Sequence, residues 1–188
     1  MMKILFVAGS NHPSATSTNL SLYLERLARA QGFDTSFCNL HAEPLPFYSP
    51  QGIGAEEANV RAFKRQLQEA DAIVLASPEY HGSISGVLKN ALDFASQDDF
   101  RGKPVLSVSS AGGAVGVSSL QQLQAIVRNL HGINAPEWLS IGSAQRRPFE
   151  KASHGDYEVE SSIEDRIHRV LGSFLTLARA LGSHKTHA

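Results

Sequence analysis

The chain has 188 residues, the size of one domain, and its 42% hydrophobic content supplies a full core, which excludes disorder. Charged residues make up 19%, with 17 basic against 18 acidic and a formal net charge of -1, so no broad positive field exists for generic nucleic-acid binding. A single cysteine, Cys38, excludes an intramolecular disulfide and a multi-thiolate metal site and suits a reducing compartment.

The first apolar run, residues 4–8, is shorter than the ~7–15 residues of a signal-peptide core and reads as a buried first strand. Leu20, Tyr23, Leu24 and Leu27 then recur at helical spacing, with Gly32 where a C-terminal cap belongs. Residues 34–38 form a more polar strand, as expected of a sheet edge. Pro44, Pro46 and Pro50 mark a loop, and Val60, Phe63, Leu67 and Ala70 a second helix. Residues 72–76 (AIVLA) are the cleanest buried strand. A third helix follows with Val87, Leu88, Ala91, Leu92 and Ala95, then a strand at 105–108 and a helix marked by Leu120, Leu123, Val127 and Leu130. Residues 133–141 contain a fifth strand interrupted by Pro136, residues 142–156 read as a loop, and residues 163–181 as a long closing helix. No window approaches the ~18 consecutive apolar residues of a membrane span, so the expectation is a cytoplasmic protein with no membrane partner.

Strands alternating with helices over one stretch of 1–188 predict a single α/β domain with a parallel sheet covered on both faces. Five strands in this length favour a flavodoxin-like three-layer sandwich with strand order 2-1-3-4-5 over the six-stranded dinucleotide fold. In either arrangement ligands bind at the carboxyl ends of the strands, which directs attention to the loops after strands one, three and four.

The first of these loops, residues 9–19 (GSNHPSATSTN), is dense in hydroxyls and runs straight into a helix. A helix N-terminus offers unpaired N–H groups and a partial positive charge of about half an elementary charge, which suits a phosphate; an ordinary Ser/Thr helix cap is the competing reading. Neither GxxxxGK[ST] nor GxGxxG occurs here, so triphosphate hydrolysis and a conventional nicotinamide site both fail. The loop after strand three, residues 77–86 (SPEYHGSISG), could present backbone groups to the edge of a flat heterocycle. It is not a hydrolase elbow, because GxSxG needs Ser where Ile84 stands. The loop after strand four, residues 109–116 (SSAGGAVG), is a third glycine-rich segment on the same edge.

Pro78-Glu79-Tyr80-His81, followed by Ser85-Gly86-Val87-Leu88-Lys89-Asn90-Ala91-Leu92-Asp93-Phe94, resembles the PEY(H/N)…(P/S)G.LKNA.D signature of the NADPH-dependent FMN reductase family, nearest its azobenzene-reductase branch. The likeness runs from strand one to about strand five. It implies a flavodoxin-like fold holding FMN noncovalently, with Ser10, Ser17, Thr18 and Asn19 at the phosphate. Pro78, Glu79, Tyr80, His81 and Gly82 would lie along the isoalloxazine, and Ser110, Gly112 and Gly113 on its far side. Many members carry Arg shortly after the first Gly-Ser; Asn11 and His12 stand there in this chain, and a protonated His12 could assist.

The resemblance further implies NADPH (or NADH) as electron donor, a small-molecule acceptor and a homodimer or homotetramer. With FMN bound, the chemistry belongs to the cofactor, and no side-chain nucleophile or metal is required. Tyr80 and His81 are the candidate assistants, by stacking or proton donation. His184 and His187 have an HxxH spacing but fall in a tail expected to be solvated. Arg146 and Arg147 could reach the 2′-phosphate of NADPH, although adjacent bases in a loop are usually just solvated. The rivals are an electron carrier with protein partners, disfavoured by the near-neutral charge, and a flavin-based redox sensor.

Overall fold

The computed structural model describes residues 1–150 and 157–182. The strands are β1 (Lys3–Ala8), β2 (Asp34–Asn39), β3 (Ala72–Pro78), β4 (Pro104–Ala111), β5 (Ile133–Asn134) and β6 (Leu139–Gly142). Between them lie α1 (Thr16–Ala30), α2 (Ala58–Glu69), α3 (Gly86–Asp93), the single turn α4 (Gln97–Phe100) and α5 (Val117–Asn129). After β6 come a 3-10 turn (Ser143–Arg146), the short α6 (Arg147–Glu150) and the closing α7 (Ser161–Gly182). Every pairing is parallel, in the order β2-β1-β3-β4-β5, which is the flavodoxin-like order.

The sheet is central because its strands are apolar on both faces. Ile4, Phe6, Val74 and Val108 point one way, into a core shared with Leu20 and Leu24 of α1 and Leu171 and Phe174 of α7. Their neighbours Leu5, Val7, Ile73 and Leu75 point the other way, against Phe63 and Leu67 of α2, Leu88 and Leu92 of α3 and Leu123 of α5. This is the period of two expected of a strand buried on both sides. Each of these large side chains, fully withdrawn from water, contributes ~1.5–3 kcal/mol. β2 is the edge, and Cys38 alone among its residues is buried. Burial pushes the Cys38 thiol up to about 12, with a lesser contribution from Glu43.

Two expectations are corrected. The interrupted fifth strand is two strands, both paired with β4: Pro104 opposes Ile133, but Val108 opposes Leu139. The chain between them therefore carries two extra residues, at a place where Pro136 has no N–H to donate. The stretch after β6, expected as loop, is helical over Ser143–Glu150. The rest of that stretch, residues 151–156, lies outside the described residues, as do His184 and His187. No helix of the described residues is long and apolar enough to cross a membrane, and no cluster of metal-ligating side chains occurs among them.

Candidate functional site

The carboxyl ends of β1, β3 and β4 open into a cleft of about 320 Å³. Its first wall is the loop after β1. A side chain has no room at Gly9, where a Cβ would lie 2.7 Å from Leu88 Cβ and 2.8 Å from the Ala76 carbonyl oxygen. That oxygen accepts the Gly9 N–H, also at 2.8 Å. Ser85 Oγ donates to the Gly9 carbonyl and accepts from the Leu88 N–H at 3.1 Å, capping α3 and locking it to this loop. Ser10 is buried, its Oγ accepting the His12 N–H at 3.1 Å. α1 then starts behind Ala15, which has no side-chain acceptor to cap it, and its first turn holds no acidic residue. The hydroxyls of Ser17 and Thr18 are buried and without a partner among the described residues. Asn19 is engaged elsewhere: its Nδ2 donates to the Phe149 carbonyl at 2.6 Å, tying α1 to α6.

The second wall is the end of β3. The Glu79 N–H donates to the Ser110 carbonyl at 2.8 Å. The Glu79 carboxylate accepts from the N–H and hydroxyl of Ser119, both at 2.9 Å, in the first turn of α5, where a negative charge is favoured. Beyond it Tyr80 and Ser83 exchange backbone hydrogen bonds of 2.9 and 3.0 Å around His81 and Gly82. Both central residues are left-handed, with φ of 51° and 72°, as in a two-residue hairpin of the primed type. Gln122 of α5 clamps this hairpin, accepting from Ser83 Oγ at 2.8 Å and donating to the Gly82 carbonyl at 3.3 Å. Tyr80 remains 45% exposed at the cleft.

The third wall is the end of β4, where Ser110 and Gly112 line the cleft. The following loop rests on β6: Gly116 N–H donates to Ser140 Oγ at 2.8 Å, and a Cβ at Gly142 would lie 2.2 Å from the Gly113 carbonyl oxygen. The last wall comes from the segment after β6. Arg146 Nη2 lies 3.0 Å from Glu150 Oε1 and 3.4 Å from Thr16 Oγ1, and all three residues line the cleft. Phe149 anchors this segment, fully buried against Tyr23 and Tyr157. Tyr23 in turn donates its hydroxyl to Glu164 of α7 at 3.0 Å. Burial first, and this bond second, push the Tyr23 phenol up to about 12.

Of the residues singled out in the sequence, Pro78, Glu79, Tyr80, Ser110 and Gly112 line the cleft, whereas Ser10, Ser17, Thr18, Asn19, His81, Gly82 and Gly113 sit behind or beside it. Ser14, Thr16 and Glu150 are lining residues that the sequence reading did not single out; Arg146 also lines the cleft, and had been named with Arg147 for the 2′-phosphate of NADPH. Among the described residues, no hydroxyl lining the cleft is hydrogen-bonded to a histidine side chain as a nucleophile to its base. The histidine that lines the cleft, His12, accepts the Ser14 N–H on Nδ1 at 3.1 Å.

A model of the family described as NADPH-dependent FMN reductase matches residues 2–146. The chain is 36% identical over 160 residues to the FMN-dependent NADPH-azoreductase of Staphylococcus saprophyticus, covering 83% of this chain and 84% of that one. Among solved structures it superimposes on the apo form of the NADH:FMN oxidoreductase EMOB with a TM-score of 0.74 at 20% identity, covering 93% of this chain and 88% of that one. It likewise matches FerB, an NAD(P)H:(acceptor) oxidoreductase from Paracoccus denitrificans, with a TM-score of 0.73 at 20% identity, covering 98% and 99%. These two likenesses are of fold, a flavodoxin-like sheet; the match along residues 2–146 and the 36% identity to the azoreductase make this chain a member of the NADPH-dependent FMN reductase family, an oxidoreductase.

Proposed function

We propose that the protein binds FMN in this cleft and reduces a small acceptor with electrons from NADPH, donor and acceptor using the same space in turn, in a ping-pong cycle. The observation that carries this reading is the start of α1. A helix end with no side-chain cap, no acidic residue in its first turn and two buried unpartnered hydroxyls, Ser17 and Thr18, is a ready site for a phosphate. The residues therefore fit the group. Ser14, Thr16 and the first N–H groups of α1 would hold the phosphate, with Ser17 and Thr18 beneath it.

Bound FMN supplies the hydride and electron transfer. Pro78, Glu79 and Tyr80 would form one part of the ring site and Ser110 and Gly112 the part beside it, in line with their places at the ends of the neighbouring strands β3 and β4. Glu79 acts through the frame, since its carboxylate is engaged by α5. Tyr80, partly exposed, offers a ring for stacking a nicotinamide or an aromatic acceptor, and His81 stands next to it as a proton donor to solvent-side products. The acceptors that fit are flat or small oxidants: quinones, azo compounds, free flavin or ferric chelates. We further infer a cytoplasmic protein acting as a single domain in a homodimer or homotetramer.

Steady-state kinetics test the cycle. Varying NADPH at several fixed concentrations of a quinone, and then of an azo dye, should give parallel double-reciprocal lines. Intersecting lines would contradict the shared space. A reading as electron carrier is distinguished by the same assay, because it predicts no turnover of NADPH with any small acceptor.

A further inference from the structure

The first loop carries Asn11 and His12 and no arginine, so the anion site at α1 has no permanent cation of its own. The structure brings one from 130 residues away: Arg146 Nη2 reaches Thr16 Oγ1, the first residue of α1, at 3.4 Å. We propose that Arg146 is the phosphate-reading residue of this cleft and that Glu150 is the counter-ion it exchanges for the phosphate. The proposal rests on FMN as the occupant and says which residue selects FMN over an unphosphorylated flavin.

Three observations support it. The guanidinium is only part satisfied: Nη2 has Glu150 and Thr16, but Nε is shielded from solvent with no acceptor among the described residues. A planar guanidinium with spare donors in a cleft wall suits a phosphate, to which it can present two parallel N–H groups. The backbone that carries it is held from three sides. Arg166 of α7 donates to the Ser140 carbonyl and to Gln145 Oε1, both at 2.9 Å. Asn19 holds the Phe149 carbonyl, and the Phe149 ring is fully buried. Arg146 is thus presented by an ordered frame, which lowers the entropy lost when it engages a ligand. The titratable groups that line the cleft with it are His12, Tyr80 and Glu150, and Glu79, whose carboxylate is already engaged by Ser119. Glu150 is 43% exposed, so it can release the arginine into water when a phosphate arrives.

The test compares ligands that differ only in the phosphate. Protein stripped of flavin is titrated with FMN and with riboflavin, following flavin fluorescence, for the wild type, Arg146→Ala and Glu150→Gln. The expected result is that Arg146→Ala weakens FMN about tenfold or more, the weight of a charge-assisted hydrogen bond, while riboflavin changes by less than about twofold. Glu150→Gln should tighten FMN and leave riboflavin unchanged, and the salt dependence of FMN binding should be shallower in Arg146→Ala. Equal losses for both flavins would mean that Arg146 merely supports the fold. Unchanged FMN binding with a lost preference for NADPH over NADH would mean that it reads the donor instead. Either result overturns the proposal. Should Arg146→Ala not fold, Glu150→Gln and Arg146→Gln decide it on the same readout. A wild type that binds riboflavin and FMN equally well contradicts this inference alone, whereas one that binds neither contradicts the flavin reading beneath it.

Discussion

Glu79 Oε2 lies 2.9 Å from both the N–H and the hydroxyl of Ser119, so a carboxylate from the loop after β3 closes the N-terminus of α5. The bond joins two of the four walls of the cleft. It makes the Glu79 carboxylate a member of the frame, while the residue itself still lines the cleft.

Glu79→Ala should lower stability by about 1–2 kcal/mol, as loss of a helix cap does, and Glu79→Gln by less. Urea denaturation of Glu79→Ala, Ser119→Ala and the double variant measures the link. Strong non-additivity is expected; additive losses would show that the two side chains act independently.

Gly142→Ala should destabilise by about 1–3 kcal/mol or more, because the new Cβ meets main chain that has no rotamer to change. The contact is with the Gly113 and Ala114 carbonyl oxygens, at 2.2 and 2.3 Å. The displaced loop borders the cleft, so bound flavin should also be released more readily. Thermal melting with and without added FMN checks both effects.

His81 occupies the left-handed region with φ 51°. His81→Asn should therefore leave stability nearly unchanged, and His81→Val should cost about 1–2 kcal/mol, since a β-branched side chain is strained there. Comparing the two variants in turnover at matched stability separates any proton-donating role from the turn itself.

How much of this arrangement was legible in the sequence follows from physical scale. β1 and β3 stood out because a parallel strand buried on both faces reads as an unbroken apolar run, and β4 showed through Val105, Leu106 and Val108 although Ser107 interrupts them. α1, α2, α5 and α7 are long enough to show a helical period, whereas α4 and α6 are single turns and have none to show. The split of β5 from β6 was hidden because Pro136 marks an interruption without revealing a two-residue change of register. In the first loop, a list of hydroxyls could not show where the helix begins. With α1 starting at Thr16, Ser17 and Thr18 turn inward, and Ser14 and Thr16 take the wall. Arg146 was visible only as one of two adjacent bases. Its place beside α1 depends on β6 returning to the sheet edge, a tertiary fact with no local pattern.

Alkaline pH should expose the packing beneath α6. The phenol of Tyr23, ordinarily near 10.0, is raised to about 12 in the folded protein, so the fold favours its neutral form. That stabilisation is fully present below pH 10 and is lost as pH rises toward about 12. Denaturation at a series of pH values should show a steeper fall above pH 10 for the wild type than for Tyr23→Phe. The Cys38 thiol, raised by burial, should for its part resist thiol reagents until the protein is unfolded.

The central claim is that this cleft holds FMN which NADPH reduces and a small oxidant reoxidises. The most direct measurement is the visible spectrum of the purified, FMN-loaded protein mixed anaerobically with NADPH, then with a quinone or an azo dye. The account predicts that the flavin absorbance bleaches on the first addition and returns on the second. Protein that takes up no FMN, or bound FMN that stays oxidised in excess NADPH, would contradict it.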